Sequence, residues 1–443
     1  MGSPEGFYLP EDPHYTVVDA ARDSVRYVLE RALTVYNGHH AAKSSFLDRE
    51  GNVMGWHDFG HLEGPGWAAN AVGGAWELER WGRLTRDARL LQVARSIVDH
   101  VLEDGFVDWR TGFIYPYRHT QEDRFCLNFK QNDEWFCPGS LAKVGYQLWG
   151  YAQLLGGPRA RRMREAALNL TGWLTRHVRR CDNGWLPRRC APDGSPYPFR
   201  AEGGSDPFFD RSADGLFLIQ LLTEVGEALG RFHPWTLELA ERFLESGGIF
   251  GSINHDTYDA HENVAYAVAF RVFRRLAEAT GCEQYRSFAY EVCLRGLDRF
   301  KMAEDRNGVP TKGLLWMEES WNTAYLWENA EAALAYVEAY GETGAVSYLR
   351  DALTILRAMA RVHDRETGFL TEGVDWDNVV GAQHHVDGAE FGPIRYTEPF
   401  LNHLHHLEPL CLYLERYAAR RWSDAEGNPL LEVPAGTDGL SRR

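Results

Sequence analysis

Apolar residues recur three and four positions apart through twelve stretches of the chain, separated by polar segments rich in glycine. That spacing marks one face of an amphipathic helix. Six stretches carry an apolar stripe against a charged face: VVDAARDSVRYVLERALTVY from Val17, LLQVARSIVDHVLE from Leu90, MREAALNLTGWLTRHV from Met163, TLELAERFLE from Thr236, YRSFAYEVCLRGLDRF from Tyr285 and YLRDALTILRAMARVH from Tyr348. The other six alternate with these and start at Gly64, Gly139, Ala213, His261, Trp321 and Glu398. They are richer in Ala and Gly and apolar on more than one side, so they predict helices enclosed by neighbours, with the first set outside them. Strand-like alternation is confined to the loops.

The connections repeat as regularly as the helices. ATGCEQY and YGETGAVSY put a glycine cap and a short turn between an inner helix and the next outer one, which suits antiparallel neighbours. From outer to inner helix the path is longer and opens on a turn of Asp, Gly and aromatic residues: DREGNVMGW at Asp48, EDGFVDWRTGF at Glu103, CDNGWLP at Cys181, SGGIFGS at Ser246, DRNGVPTKG at Asp305 and DRETGFLTEG at Asp364. A period of about 55 to 80 residues holds two helices and their loops. Six such hairpins predict an all-α fold, a closed (α/α)6 toroid of six inner and six outer helices with its long loops on one face. The expected organisation is one domain over residues 1–422 and a polar tail over 423–443.

This pattern, with its DRETGF-type turns and EATG or YGETG helix endings, resembles the six-hairpin (α/α)6-barrel superfamily of glycosidases and sugar epimerases over residues 15 to 420. The resemblance is one of architecture, and no individual family's catalytic motif is matched residue by residue. It implies a single funnel, walled by the outer-to-inner loops, that holds a small saccharide. Fold analogy alone assigns no reaction.

Composition narrows the partners. The formal net charge of −16 argues against nucleic acid, which is bound through clustered Lys and Arg. No eighteen apolar residues run together, so no membrane span is expected. The opening MGSPEGFYLPEDPHY has no basic region followed by an apolar run, and seven cysteines without CxxC spacing make a poor disulfide framework; both fit a cytoplasmic setting. Aromatic residues reach 13%, and several tryptophans fall in loops such as VMGWHDFGH and NDEWFCPG, where rings could stack on sugar faces.

A ring of hairpins gathers the polar residues of its six long loops. Hydrolysis of a glycosidic bond needs one protonated and one ionised carboxyl in different surroundings. KQNDEWF and WMEESWN set carboxyls beside large rings on different hairpins, so Asp133 or Glu134 with Glu319 is the expected acid and base pair, with His403 assisting. The expected saccharide contacts are His61, Arg124, Trp135, His261, Glu262, Trp321, Asn322, His385, Arg395 and Glu398; loop four also offers His255 and Asp256. Acids just before a helix, such as Asp206 and Asp214, also read as caps. HDFGH could pair His57 with His61 on a metal only if helical, which Gly60 opposes, so neither metal nor cofactor is expected.

Three other readings stay open. A sugar 2-epimerase of the N-acylglucosamine or cellobiose type would use histidines as acid and base. A uronate-specific lyase would use Tyr258 or His261 with Arg124 and Arg395. A carbohydrate-binding scaffold would need rings and hydrogen bonds but no pair of acids with divided affinities for a proton. Oligomeric state is not written in the sequence.

Overall fold

The computed structural model describes residues 4–380 and 392–417. The outer helices start and stop where the residues provide caps. Thr16 accepts the Asp19 amide while the Asp19 carboxylate takes the Thr16 amide, a reciprocal cap that opens α1 (Val17–Tyr27). Asp87 caps α3 (Ala88–Glu103), His233 caps α7 (Pro234–Ser246), and α5 (Gly157–His177) and α11 (Val346–Arg361) complete the longer outer set. The sixth outer helix is α9 (Glu283–Phe288), which loosens into wider and then tighter turns as far as Phe300.

The inner helices are α2 (Ala71–Thr85), α4 (Pro138–Leu154), α6 (Gly215–Ala228), α8 (Asn263–Thr280), α10 (Leu326–Thr343) and α12 (Leu407–Tyr417). Each packs on the next, and α12 returns to α2, so the ring closes. Close approach at the inner contacts explains the glycines. A Cβ on Gly74 would meet Phe400 and Leu404 at 3.0–3.2 Å, and one on Gly139 would stand 2.7 Å from the Asp214 carbonyl oxygen. The core lies between the two rings of helices, where buried Leu, Val, Ile and Phe each contribute roughly 1.5–3 kcal/mol.

Two helix expectations end differently. Leu33–Tyr36, read as the last turn of the first helix, is strand β1, paired with β2 (His39–Ala42) around Asn37 and Gly38, both at positive φ. The cause is the Asn-Gly turn, a strong hairpin signal, after a run, LTVY, rich in β-branched and aromatic residues. Trp321–Tyr325, read as the start of an inner helix, is β7, held by β8 (Gly373–Val380) and through it by β9 (Gly392–Pro393). β3 (Leu47–Asp48) pairs with β10 (Tyr396–Thr397), and β4 (Leu62–Glu63) with β5 (Tyr117–His119) and β6 (Arg124–Cys126). The long loops are therefore stitched together on one face: one to six, one to two, and five to six. No helix among the described residues is long and apolar enough to cross a membrane.

Candidate active site

The stitched loops enclose a cavity of about 210 Å³ on the ring axis. Its wall is aromatic. Trp67 and Trp327 meet edge to face at its base, 5.1 Å between centroids, while Trp321, Tyr325, Tyr396, Phe46, Phe59 and Phe129 line its sides. Trp56 sits at the mouth with 47% of its surface exposed, enough for a ligand to stack on it. The volume is below the roughly 300–1,000 Å³ of drug-sized pockets, so the enclosed part suits one small polar ring.

Against this wall stand carboxyls from different loops. Asp256 comes from loop four, and Glu372 and Glu398 from loop six. Burial, with the neighbouring Glu202 charge, pushes Asp256 up to about 6. Burial raises Glu398 to about 8, although its bonds from Glu372 and Asn402 favour the ionised form. Glu372 is raised well above the usual carboxylate range, first by burial and then by Glu398, so these two hold a shared proton near neutral pH. The site thus contains a retained proton and a carboxyl that loses its own more readily.

His255, beside Asp256, packs its ring on Trp67 at 4.8 Å and leaves Nε2 buried without a hydrogen-bond partner. Burial, reinforced by Arg188, Arg189 and Lys143, holds it well below the usual histidine range, so the imidazole is neutral. Loop three fixes this segment from below. Arg188 donates to the Asn254 carbonyl and Arg189 to the His255 carbonyl, and both guanidiniums hold Asp206, at 3.2 and 2.9 Å. Asp214 opens α6, but its side chain makes no capping bond. It faces Arg188 at 3.7 Å, and burial raises it to about 7.

Below the loop-four wall lies a second carboxyl group. Glu262 accepts the Ile253 amide at 2.6 Å, Glu328 accepts Asn254 and Asn263 Nδ2 at 2.6 and 3.0 Å, and Glu318 accepts the Ser252 hydroxyl at 2.7 Å. Burial raises all three, and the Glu262 charge adds to the rise of Glu318 and Glu328. Deeper still, the Lys143 ammonium lies 4.8 Å from the Trp67 ring, lowered to about 8 by burial.

Of the residues singled out from the sequence, the structure brings Trp321 and Glu398 to the cavity and sets Glu262 in the layer beneath. Asp133, Glu134 and Glu319 are exposed and do not line it; Glu134 faces the Tyr197 hydroxyl at 3.4 Å, and Glu319 accepts the His261 amide at 3.1 Å. His403 is buried against Tyr27, centroids 4.3 Å apart, and accepts the Leu370 amide on Nε2, so it organises loop six. Trp135 lies under Arg189, His261 contacts Tyr266, and Arg124 binds Glu122 and the Gln131 carbonyl. His61 lies beside His119, Asn322 donates to Asp377 at 2.6 Å, and Arg395 is exposed. His385 and the 423–443 tail fall outside the described residues.

The WNTAY strand and the LTEG segment carry Trp321 and Glu372 into the wall. Sequence reasoning missed Glu372 because it follows a turn motif and its partner is 26 positions away. The Arg188–Arg189 pair was missed because adjacent arginines usually read as surface.

No protein-family model and no curated protein matches the sequence. Solved structures share its fold. A cellobiose 2-epimerase from Bacillus thermoamylovorans is 13% identical, with a TM-score of 0.62 over 90% of this chain and 99% of that one. A D-mannose isomerase is 12% identical, with a TM-score of 0.59 over 90% and 96%. An unsaturated glucuronyl hydrolase from Streptococcus agalactiae is 11% identical, with a TM-score of 0.50 over 90% and 91%. The likeness is one of fold alone, a closed (α/α)6 ring of helical hairpins.

Proposed function

We propose that this chain is a carbohydrate-active enzyme, a glycoside hydrolase that seats a terminal ring of a short saccharide in the cavity. The reading rests on one observation: three carboxyls from two loops face a ring-walled cavity with their proton affinities set apart. The Glu372–Glu398 pair supplies the proton that the leaving oxygen needs, and Asp256, ionised above about pH 6, activates water or attacks the anomeric carbon. Trp56 and Trp321 offer apolar faces to sugar rings. In this reading the acid and base roles move from Asp133 or Glu134 with Glu319 to carboxyls that touch the cavity.

A second reading has its own support. The neutral His255, whose Nε2 makes no hydrogen bond and lies 3.9 Å from the Asp214 carboxyl, suits proton transfer beside a carbonyl, and the fold is shared with a cellobiose 2-epimerase and a D-mannose isomerase. A uronate-specific lyase is less well supported, because the cavity lining offers Lys130 against five carboxyls, and Arg124 and Arg395 are not among its residues.

Incubation with a panel of di- and oligosaccharides, followed by NMR of the products, separates these readings. New reducing ends support hydrolysis, and an inverted or isomerised C2 centre supports the second reading. If no product forms and no saccharide shows saturation transfer, both fail.

A further inference from the structure

Away from the cavity, the β1–β2 hairpin meets the C-terminus of α3. There His39 Nδ1 and His100 Nδ1 approach the same Asp104 oxygen, at 2.8 and 2.7 Å. One donor atom from each of the three residues lies within 4.8 Å of the others. His100 and Asp104 are four positions apart on the last turn of α3, and His39 comes from 61 residues earlier, so two elements converge on one point.

The far side of each imidazole is also occupied. His100 Nε2 lies 3.1 Å from Glu63 Oε1, a carboxylate fixed in turn by Arg118 at 2.7 Å. His39 Nε2 lies 3.7 Å from Glu103, which Arg162 also holds. Asn37 donates to the other Asp104 oxygen at 3.2 Å. A neutral imidazole has one N–H and one lone pair. Without an ion each Nδ1–H donates to the shared Asp104 oxygen; a bound cation would displace those protons, with Nε2–H then donating toward Glu63 and Glu103. Carboxylates behind the rings are the arrangement that orients histidine ligands on a metal.

We propose that His39, His100 and Asp104 form a binding site for a divalent transition-metal ion of the zinc class. Two imidazole nitrogens and a carboxylate oxygen are a zinc donor set, and water would complete the tetrahedron. Bonds near 2.0–2.1 Å place such ligands about 3.3 Å apart, so each imidazole need move about half an ångström from the Asp104 oxygen. His39 is 24% exposed, which leaves an entry path. The ion would clamp the hairpin of loop one to α3. The other convergent cluster among the described residues, Glu77, His405 and Glu408, suits a cation less well, because Arg80 and Arg271 already lie 3.8 and 3.6 Å from Glu408.

The test uses the untagged full chain, stripped with chelator and titrated with zinc chloride by calorimetry, with Co²⁺ absorption as a second readout. The expected result is one equivalent bound, a rise in Tm, and visible Co²⁺ bands without a thiolate charge-transfer band. His39→Ala, a partly exposed residue whose loss the fold should tolerate by circular dichroism, should weaken binding by at least about tenfold, as should Asp104→Asn. Failure to bind zinc below millimolar concentration, unchanged affinity in folded His39→Ala, or a thiolate band placing the ion on cysteine would each overturn the proposal.

Discussion

In the proposed hydrolysis Asp256 serves as the base, because its proton leaves at about pH 6, before the one shared by Glu372 and Glu398. Asp256→Asn keeps the size and removes the charge, so kcat should fall by roughly 10²–10⁴-fold while saccharide affinity by calorimetry changes little. An equal loss of affinity would mean that this carboxyl binds and does not react. Turnover should rise through about pH 6, as Asp256 ionises, and decline through about pH 8, as the pair loses its proton; kcat against pH reads both limbs. Stability carries the same signature. Glu398 is raised from 4.5 to about 8 on folding, so the folded chain holds more protons than the unfolded one across that window. Its stabilising contribution is complete below about pH 4.5 and is lost as pH rises through 8. Thermal denaturation of Glu398→Gln should show a smaller fall in Tm from pH 5 to pH 8 than the parent. At this scale the sequence was half readable. Trp321, Glu398, His255 and Asp256 stood out in polar loops, but nothing local separates Glu318, buried under the wall, from its exposed neighbour Glu319.

Helices were easier to read than their ends. The Ala- and Gly-rich stretches became the inner ring because glycine permits the contacts that such a ring needs, and Gly139 shows how tight one of them is. A methyl there would press on the backbone of Asp214, where α6 begins, and backbone cannot rotate away. Gly139→Ala should therefore destabilise the chain by about 1–3 kcal/mol in urea unfolding, despite alanine's better helix propensity. A neutral or stabilising result would show that loop three yields at that point. WNTAY misled because its apolar spacing continues that of α10, while its pairing partner lies some fifty residues downstream at Gly373–Val380. LTVYNGHHAA carried its own hairpin signal in Asn37-Gly38, which the helical period of the preceding residues masked.

The toroid itself was the most readable feature, because six repeats of one pattern average out local ambiguity, as they would in any repeat protein. The cavity was the least readable, because its wall is assembled by strands that join loop one to loop six and loop five to loop six. In a closed ring no hairpin can leave without baring the faces of both neighbours. Differential scanning calorimetry should therefore show a single transition, and two resolved transitions would break the expectation of one domain over residues 1–422. Ring closure also has a consequence in time. Leu47–Asp48 pairs with Tyr396–Thr397, α2 rests on α12, and Glu11 binds Arg357, so the first hairpin's partners leave the ribosome long after it does. Early hairpins can form as they emerge, but a seam spanning some 350 positions waits for its final segment. Until then α2 carries an uncovered apolar flank, and a nascent chain paused before Leu407 is the species on which chaperones would have most to hold.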